Sequence, residues 1–210
     1  MNKLILLIMP KSADEKRIKI LESAKRRFAH YGMSKTTMAE IAKDLSFSKA
    51  LLYYYFPDKN SLYCAVLDYV ITEQEEDILE VLKPVKNTEQ AVMIILEKRM
   101  EYIKKYYNLF EYTFNASKDV PEDLGKVIIC SFEQQHLQII SILKNGVKCG
   151  ELIIDDYDET ARLLLFSLMG MRMIVIKDIK HSFFPTKEEF DAILEMQKKM
   201  AKIFIKGLSV

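Results

Sequence analysis

Cysteine is scarce in this chain of 210 residues: Cys64, Cys130 and Cys149 stand far apart, with no CxxC pair and no histidine at zinc-ligand spacing. That spacing argues against a zinc finger and against a disulfide framework, and scattered thiols suit a reducing cytosol. Cys64 and Cys130 fall in apolar helical sequence and read as core thiols, whereas Cys149, beside a loop, is the one placed for redox chemistry. No Gly-rich phosphate loop, no GxSxG and no convincing acid and base pair occur, which removes the usual grounds for an enzyme. Glu133 and His136 make a single Glu-x-x-His. A di-iron bundle needs two such units and further carboxylates, so the pair reads as a hydrogen bond within one helix turn, and neither metal nor cofactor is expected. No stretch alternates apolar and polar long enough for a strand, Leu152 to Ile154 being too short.

An unbroken apolar span is also lacking. The run LLLFSLMGMRMIVI is interrupted by Arg172, preceded by Asp158 and Arg162 and followed by Lys177 and Asp178. A transmembrane helix wants about 20 apolar residues in succession. At the N-terminus, LILLIM between Lys3 and Pro10 is shorter than a secretory signal core and has no small-residue cleavage site. Either Met9 is the native start or the segment is an arm on the domain that follows.

What the chain does contain is capped helices. Thr37 with Glu40 three residues on forms a capping box, and Met38, Ile41, Ala42 and Leu45 follow on one stripe. Ser46, Phe47 and Ser48 make a tight turn, Ser48 caps a second helix over about 49–56, Pro57 stops it, and Asp58 caps the next. Two short helices crossing at such a turn form a helix-turn-helix. On the second helix Leu52 and Phe56 face inward, which turns Lys49, Ala50, Leu51, Tyr53 and Tyr54 outward. Outward tyrosines beside lysines suit phosphate oxygens; a tyrosine triplet packing a small core is the competing reading.

Charge is unevenly spread. Up to Lys59 there are 12 basic and 6 acidic residues, a net +6, while the remainder carries 19 against 24, a net −5. The near-neutral total of +1 hides a basic head on an acidic body, and a basic head attracts a phosphate backbone.

Residues 16–64 resemble the DNA-binding domain of the TetR family (TetR/AcrR) of bacterial transcriptional regulators. The resemblance rests on Ile20, Leu21, Ala24, Phe28 and Gly32, then Thr36, Thr37, Ile41 and Ala42, and then Leu52, Tyr53, Tyr55, Phe56 and Lys59. It implies that Tyr53, Tyr55, Lys59 and Thr36 or Thr37 hold phosphates and that Lys49, Ala50, Leu51 and Tyr54 face base edges, with Ser48 at the start of the reading helix. Leu51 either meets a thymine methyl or packs inside. Where the family usually has Gly then Val in the turn, this chain has Ser46 and Phe47, so a differently shaped turn is expected.

The first helix, over about 13–31, is read as burying Ile18, Leu21, Ala24 and Phe28 and ending at Gly32. Further helices are expected over 59–82, 87–106, 107–117, 121–148, 157–180 and 187–206, about nine in all, giving an all-α fold. The domain division follows: 1–58 as arm and helix-turn-helix, 59–210 as a larger helical regulatory and dimerisation domain. The helix carrying LLLFSLMGMRMIVI is apolar almost all round and must be covered on every side, by the core and by a second subunit, with Gly170 allowing close approach. The resemblance implies a homodimer through the last two helices. Such a dimer would set two reading helices about 34–36 Å apart, one duplex turn.

Tyr106, Phe110, Phe114, Phe132, His136, Met169 and Met173 are the candidates to line a pocket for a small apolar or aromatic inducer; as a set they also read as ordinary core. The expectation is a cytoplasmic, non-membrane, DNA-binding regulator, a repressor that holds a near-palindromic operator as a dimer and is released by a small ligand. The alternatives are a regulator controlled by a protein partner or by nothing, and a helical-bundle enzyme using the central pocket.

Overall fold

The computed structural model describes residues 11–115, 121–178 and 186–210, and their side chains except at 11–14, 112, 114, 115 and 173–178. The arm expected at residues 1–10 and the side chains of Phe114 and Met173 therefore lie outside the described residues. Within them the chain forms nine helices: α1 Lys11–Lys35, α2 Met38–Asp44, α3 Lys49–Tyr55, α4 Lys59–Leu82, α5 Thr88–Lys105, α6 Tyr107–Asn115, α7 Glu122–Lys148, α8 Tyr157–Asp178 and α9 Lys187–Gly207. A single antiparallel bridge, Leu152 to Ser209, is the one piece of β pairing among the described residues. The all-α reading and the helix order agree with the sequence analysis.

The chain divides into two compact units. One is formed by the chain up to Thr72 together with Tyr106–Val127, the other by Glu73–Lys105 with Ile128–Val210. Residues of α4 belong to both units.

In the first unit, α1 buries Ile20, Leu21, Ala24 and Phe28. Ile18, expected in that stripe, is exposed; it lies two residues before Ile20, about half a turn round the helix, and so on the other face. The helix breaks at Gly32, whose φ of 75° and ψ of 171° suit glycine alone. Asn108 of α6 donates from Nδ2 to the carbonyls of Ala29 (2.9 Å) and His30 (3.0 Å), which satisfies acceptors that the helix end leaves open. Tyr63 of α4 packs edge-on against Phe28, and its hydroxyl donates to the Leu109 carbonyl. The side α4 turns inward here is apolar: Leu62, Val66, Leu67 and Val70 are all buried.

In the second unit α5, α7, α8 and α9 share one core, with Leu96, Ile139, Leu143, Leu164, Leu165, Ala201 and Ile205 at its centre. Asn87 and Asp156 cap α5 and α8 through the amides of Gln90 and Glu159, and Thr186 with Glu189 forms a full capping box on α9. Glu151 accepts from the Thr88 amide (2.8 Å), adding a second cap to α5. Gly170 has open space around it rather than a close neighbour within the chain.

The thiols divide differently from expectation. Cys64 is buried, and desolvation first, then Asp123 and Asp58, push it up to about 11. Cys130, read as a core thiol, is exposed, because it shares the outward side of α7 with Ile128 and Ile129. Nor does His136 bond to Glu133: its Nε2 lies 3.1 Å from the Asp158 carbonyl oxygen, linking α7 to α8. Among the described residues no group of acids, cysteines and histidines could hold a metal, and no helix is long and apolar enough to cross a membrane.

Two helix ends use the same closing pattern with different residues. After α7, the Glu151 amide bonds to the Gly146 carbonyl and the Gly150 amide to that of Val147, with Gly150 at φ 75°. After α2, the Phe47 amide bonds to the Ala42 carbonyl and the Ser46 amide to that of Lys43, with Ser46 at φ 54°. The turn at Ser46 thus keeps the shape that glycine favours, and the serine bears the strain. Ser46→Gly is expected to raise stability by about 1 kcal/mol, seen as a melting-temperature rise of about 2–4 °C for a chain this size.

Between α1 and α2, Arg27 donates to both carboxylate oxygens of Asp44, from Nε at 2.5 Å and from an Nη at 2.9 Å. That hydrogen bond holds the Asp44 carboxyl below its usual range. A folded value below the unfolded one, about 3.9, contributes stability above the unfolded value and loses it as pH falls through the folded one. Asp44→Asn is expected to cost about 1 kcal/mol or less at neutral pH, since the pair is partly solvated. Thermal melts at falling pH should show that difference from the parent closing in the acid range.

Candidate nucleic-acid interface

Seven-residue helices need outside support, and α2 and α3 each receive a side-chain cap at the start, as does α4 after them. The Thr37 hydroxyl accepts from the Glu40 amide (3.3 Å) while Glu40 accepts from the Thr37 amide (2.9 Å) and hydroxyl (2.7 Å). Those bonds from Thr37 hold the Glu40 carboxyl below its ordinary range. Ser48 accepts from the Leu51 amide (3.1 Å), and Asp58 from that of Ser61 (2.7 Å). Inward, Met38, Ile41 and Ala42 of α2, Leu52 of α3 and Phe56 just past its end are buried. Arg17 of α1 lies over the Phe56 ring, 5.4 Å from its centre.

This packing decides which way α3 faces. Ser48, Lys49 and Ala50 are exposed, Leu51 and Tyr55 are half-buried, and Tyr53 and Tyr54 are 48% and 79% exposed. Tyr54 and Tyr55 meet edge to face, with ring centres 5.3 Å apart. Tyr53 and Tyr54 therefore pack no core, and the structure gathers Ser48, Lys49, Ala50, Tyr53 and Tyr54 on one short helix with Thr37 exposed at the start of α2.

Two expected contacts sit differently. Thr36 is fully buried and its hydroxyl donates to the Gly32 carbonyl (2.9 Å), so its side chain braces the end of α1 and presents nothing to a phosphate. Lys59 is half-buried and donates from Nζ to the Met33 carbonyl (3.0 Å), which fastens α4 to the segment after Gly32. In the sequence both residues look like surface donors. Their partners are backbone carbonyls freed by the break at Gly32, which no side-chain pattern displays.

The expected pocket residues are divided between the two units. Tyr106 and Phe110 belong to the first unit, Phe132, His136 and Met169 to the second. A cavity of about 20 Å³ in the second unit is bordered by Met169 of that set and otherwise by Leu96, Arg99, Met100, Ile103, Gln135, Leu165, Leu168, Arg172 and Gln197. Phe132 instead stacks on Phe166. Arg99 and Arg172 escaped the sequence reading, yet each carried a signal. Arg99 continues the apolar stripe Val92, Ile95 and Leu96 at helical spacing, and Arg172 interrupts the longest apolar run in the chain.

Comparison with known proteins places this geometry. Residues 20–66, which contain α2 and α3 entire, match the family model described as bacterial regulatory proteins, tetR family. The uncharacterised HTH-type transcriptional regulator YhgD of Bacillus subtilis is 26% identical over 94% of this chain and 98% of its own. The HTH-type transcriptional regulator QacR of Staphylococcus aureus is also 26% identical, over 91% and 97%. A crystal structure of a transcriptional regulator from Cytophaga hutchinsonii superposes with a TM-score of 0.83 at 27% identity, covering 93% of this chain and 99% of that one. With the family match enclosing the exposed α3 and its braces, and regulators alike along nearly their whole length, the chain is a DNA-binding transcriptional regulator, not an enzyme, whose residues 20–66 are similar to those of the TetR family.

Proposed function

We propose that this regulator is a cytoplasmic repressor that binds a near-palindromic operator as a homodimer and leaves it when a small, largely apolar molecule enters the helical body. The observation that carries the reading is the outward face of α3, where Lys49, Ala50, Tyr53 and Tyr54 stand on a helix whose other side is fixed by Leu52 and Phe56. Tyrosine hydroxyls at Tyr53 and Tyr55 serve phosphates, which set position; Lys49, Ala50, Leu51 and Tyr54 face base edges, which set sequence. Thr37 and Ser48, exposed at the starts of α2 and α3, stand beside the backbone. Repression follows where such an operator overlaps a promoter.

A dimer is supported by apolar surface on the last two helices. Leu163 and Phe166 of α8 are each 53% exposed and Ile203 of α9 is 69% exposed, although the opposite sides of both helices fill the core. Large apolar side chains held in water on two neighbouring helices mark an interaction surface. Two-fold pairing there presents two copies of α3, which is why a near-palindrome is expected. Release by a ligand is supported by the cavity between α5 and α8, and it operates only if the ligand prefers the state that does not bind DNA.

Selection of bound duplexes from a random pool tests the reading. Tyr53→Phe is expected to weaken every sequence alike, and Lys49→Ala to relax preference at particular bases, by about 1–3 kcal/mol at the positions read. No enrichment by the parent chain would sink the operator claim. For the dimer, Phe166→Glu combined with Ile203→Glu should halve the mass seen by light scattering while the helical circular dichroism signal persists; an unchanged mass would place the interface elsewhere.

A further inference from the structure

A guanidinium taken from water into hydrocarbon costs several kcal/mol unless its charge and its five donors are met. Arg99 is 8% exposed. One Nη donates to Gln138 Oε1 (2.8 Å) and lies 3.5 Å from Glu75 Oε1, and Gln138 in turn donates to Glu75 Oε2 (3.0 Å). Its Nε, sealed from solvent, donates to nothing. Burial pulls the guanidinium below its ordinary value despite the pull of Glu75 in the other direction. Arg172 borders the same cavity and is pulled down to about 10, first by desolvation and then by the positive charge of Arg99.

Two like charges facing one small space raise the energy of the fold, and hydrocarbon at both positions would pack without that cost. Among the described residues no carboxylate borders the cavity; the remaining polar groups are Gln135 and Gln197, and Leu96, Ile103, Leu165 and Leu168 supply apolar wall. A buried donor without an acceptor, beside a second guanidinium, marks a place where an acceptor belongs.

We propose that this cavity is the regulator's ligand site and that it takes a small monocarboxylate with an apolar tail, the carboxylate held by Arg99 and Arg172 and the tail along Leu96, Ile103, Leu165 and Leu168. The assignment rests on the ligand-release reading above and narrows its chemistry. A guanidinium fork matches the two oxygens of a carboxylate, and the same charges repel a cation. The space present holds a water or two, since one water needs about 10–15 Å³. The ligand widens it by displacing Met100 and Met169, flexible thioether chains that repack readily. A carboxylate drawn to Arg99 competes with Glu75, which stands on α4, the helix that also contributes to the DNA-reading unit.

The test titrates the purified full-length chain with octanoate, benzoate, octanol and octylammonium, read by calorimetry and by thermal shift. Octanoate or benzoate should bind and raise the melting temperature, octanol should bind at least about tenfold more weakly, and octylammonium should not bind. Arg172→Lys, which keeps the charge and loses the fork, and Arg99→Gln should each reduce carboxylate affinity by about tenfold or more with the helical signal retained; if Arg99→Gln does not fold, Arg172→Lys decides alone. Equal binding of octanol and octanoate, binding of neither acid, or unchanged affinity in the folded variants overturns the proposal. The same titrations on chain bound to a selected duplex separate the two readings. Carboxylate binding through the arginines without loss of DNA affinity keeps this site and removes ligand release, whereas release by octanol or octylammonium keeps ligand release and removes this site.

Discussion

An α-helix of seven residues is not stable in water, because the cost of fixing its first turn is never recovered over so short a length. The surface proposed to meet DNA in this regulator is built from two of them, so it depends on burial from behind. Ile41, Leu52 and Phe56 are the side chains that hold α2 and α3 in place, with Arg17 laid over the Phe56 ring. The braces are themselves tied where α1 breaks at Gly32. The break frees carbonyls, and Thr36, Lys59 and Asn108 each donate to one or more of those around it. A glycine conformation thus organises the end of α1, the start of α4 and the seat of α6.

The turn between α2 and α3 shows how such a fold tolerates a departure from its usual residue. Ser46 occupies the left-handed position, and the two closing hydrogen bonds are made as they are at Gly150. The strain is about 1 kcal/mol, small beside the burial of two helices, so the turn geometry holds and the residue bears the cost. The turn between α2 and α3 therefore keeps the shape that glycine favours even though its sequence differs.

The helical body follows a different constraint. Its core is mostly hydrocarbon, with buried Thr88, His136 and Gln197 among the polar exceptions, and Arg99 and Arg172 bring two positive charges to one cavity; polar groups inside a core are costly unless they are satisfied. Arg99 stands on the inward side of α5 with Leu96, Met100 and Ile103. Its charge fixes the character of the space: it repels cations, tolerates hydrocarbon, and leaves a donor waiting. Of the aromatic set, Tyr106 and Phe110 belong to one unit and Phe132 and His136 to the other, where His136 joins α7 to α8.

The helices, their caps and the helix-turn-helix were all legible in the sequence, because each depends on residues three or four apart. Thr37 with Glu40, Ser48, Asn87, Asp156 and Thr186 with Glu189 all cap the helices they precede. The family resemblance was legible for the same reason, since its positions are local and closely spaced. Tertiary structure alone decided the long-range matters: that Thr36 and Lys59 turn to backbone carbonyls, that Ile18 and Cys130 face outward, and that Tyr53 and Tyr54 stand free of any core. It also decided that Arg99 and Arg172, 73 positions apart in the chain, border one space. Local patterns are read by short-range sterics and hydrogen bonds, whereas the partner of a side chain is set by which distant segment packs beside it, and no spacing within a helix encodes that.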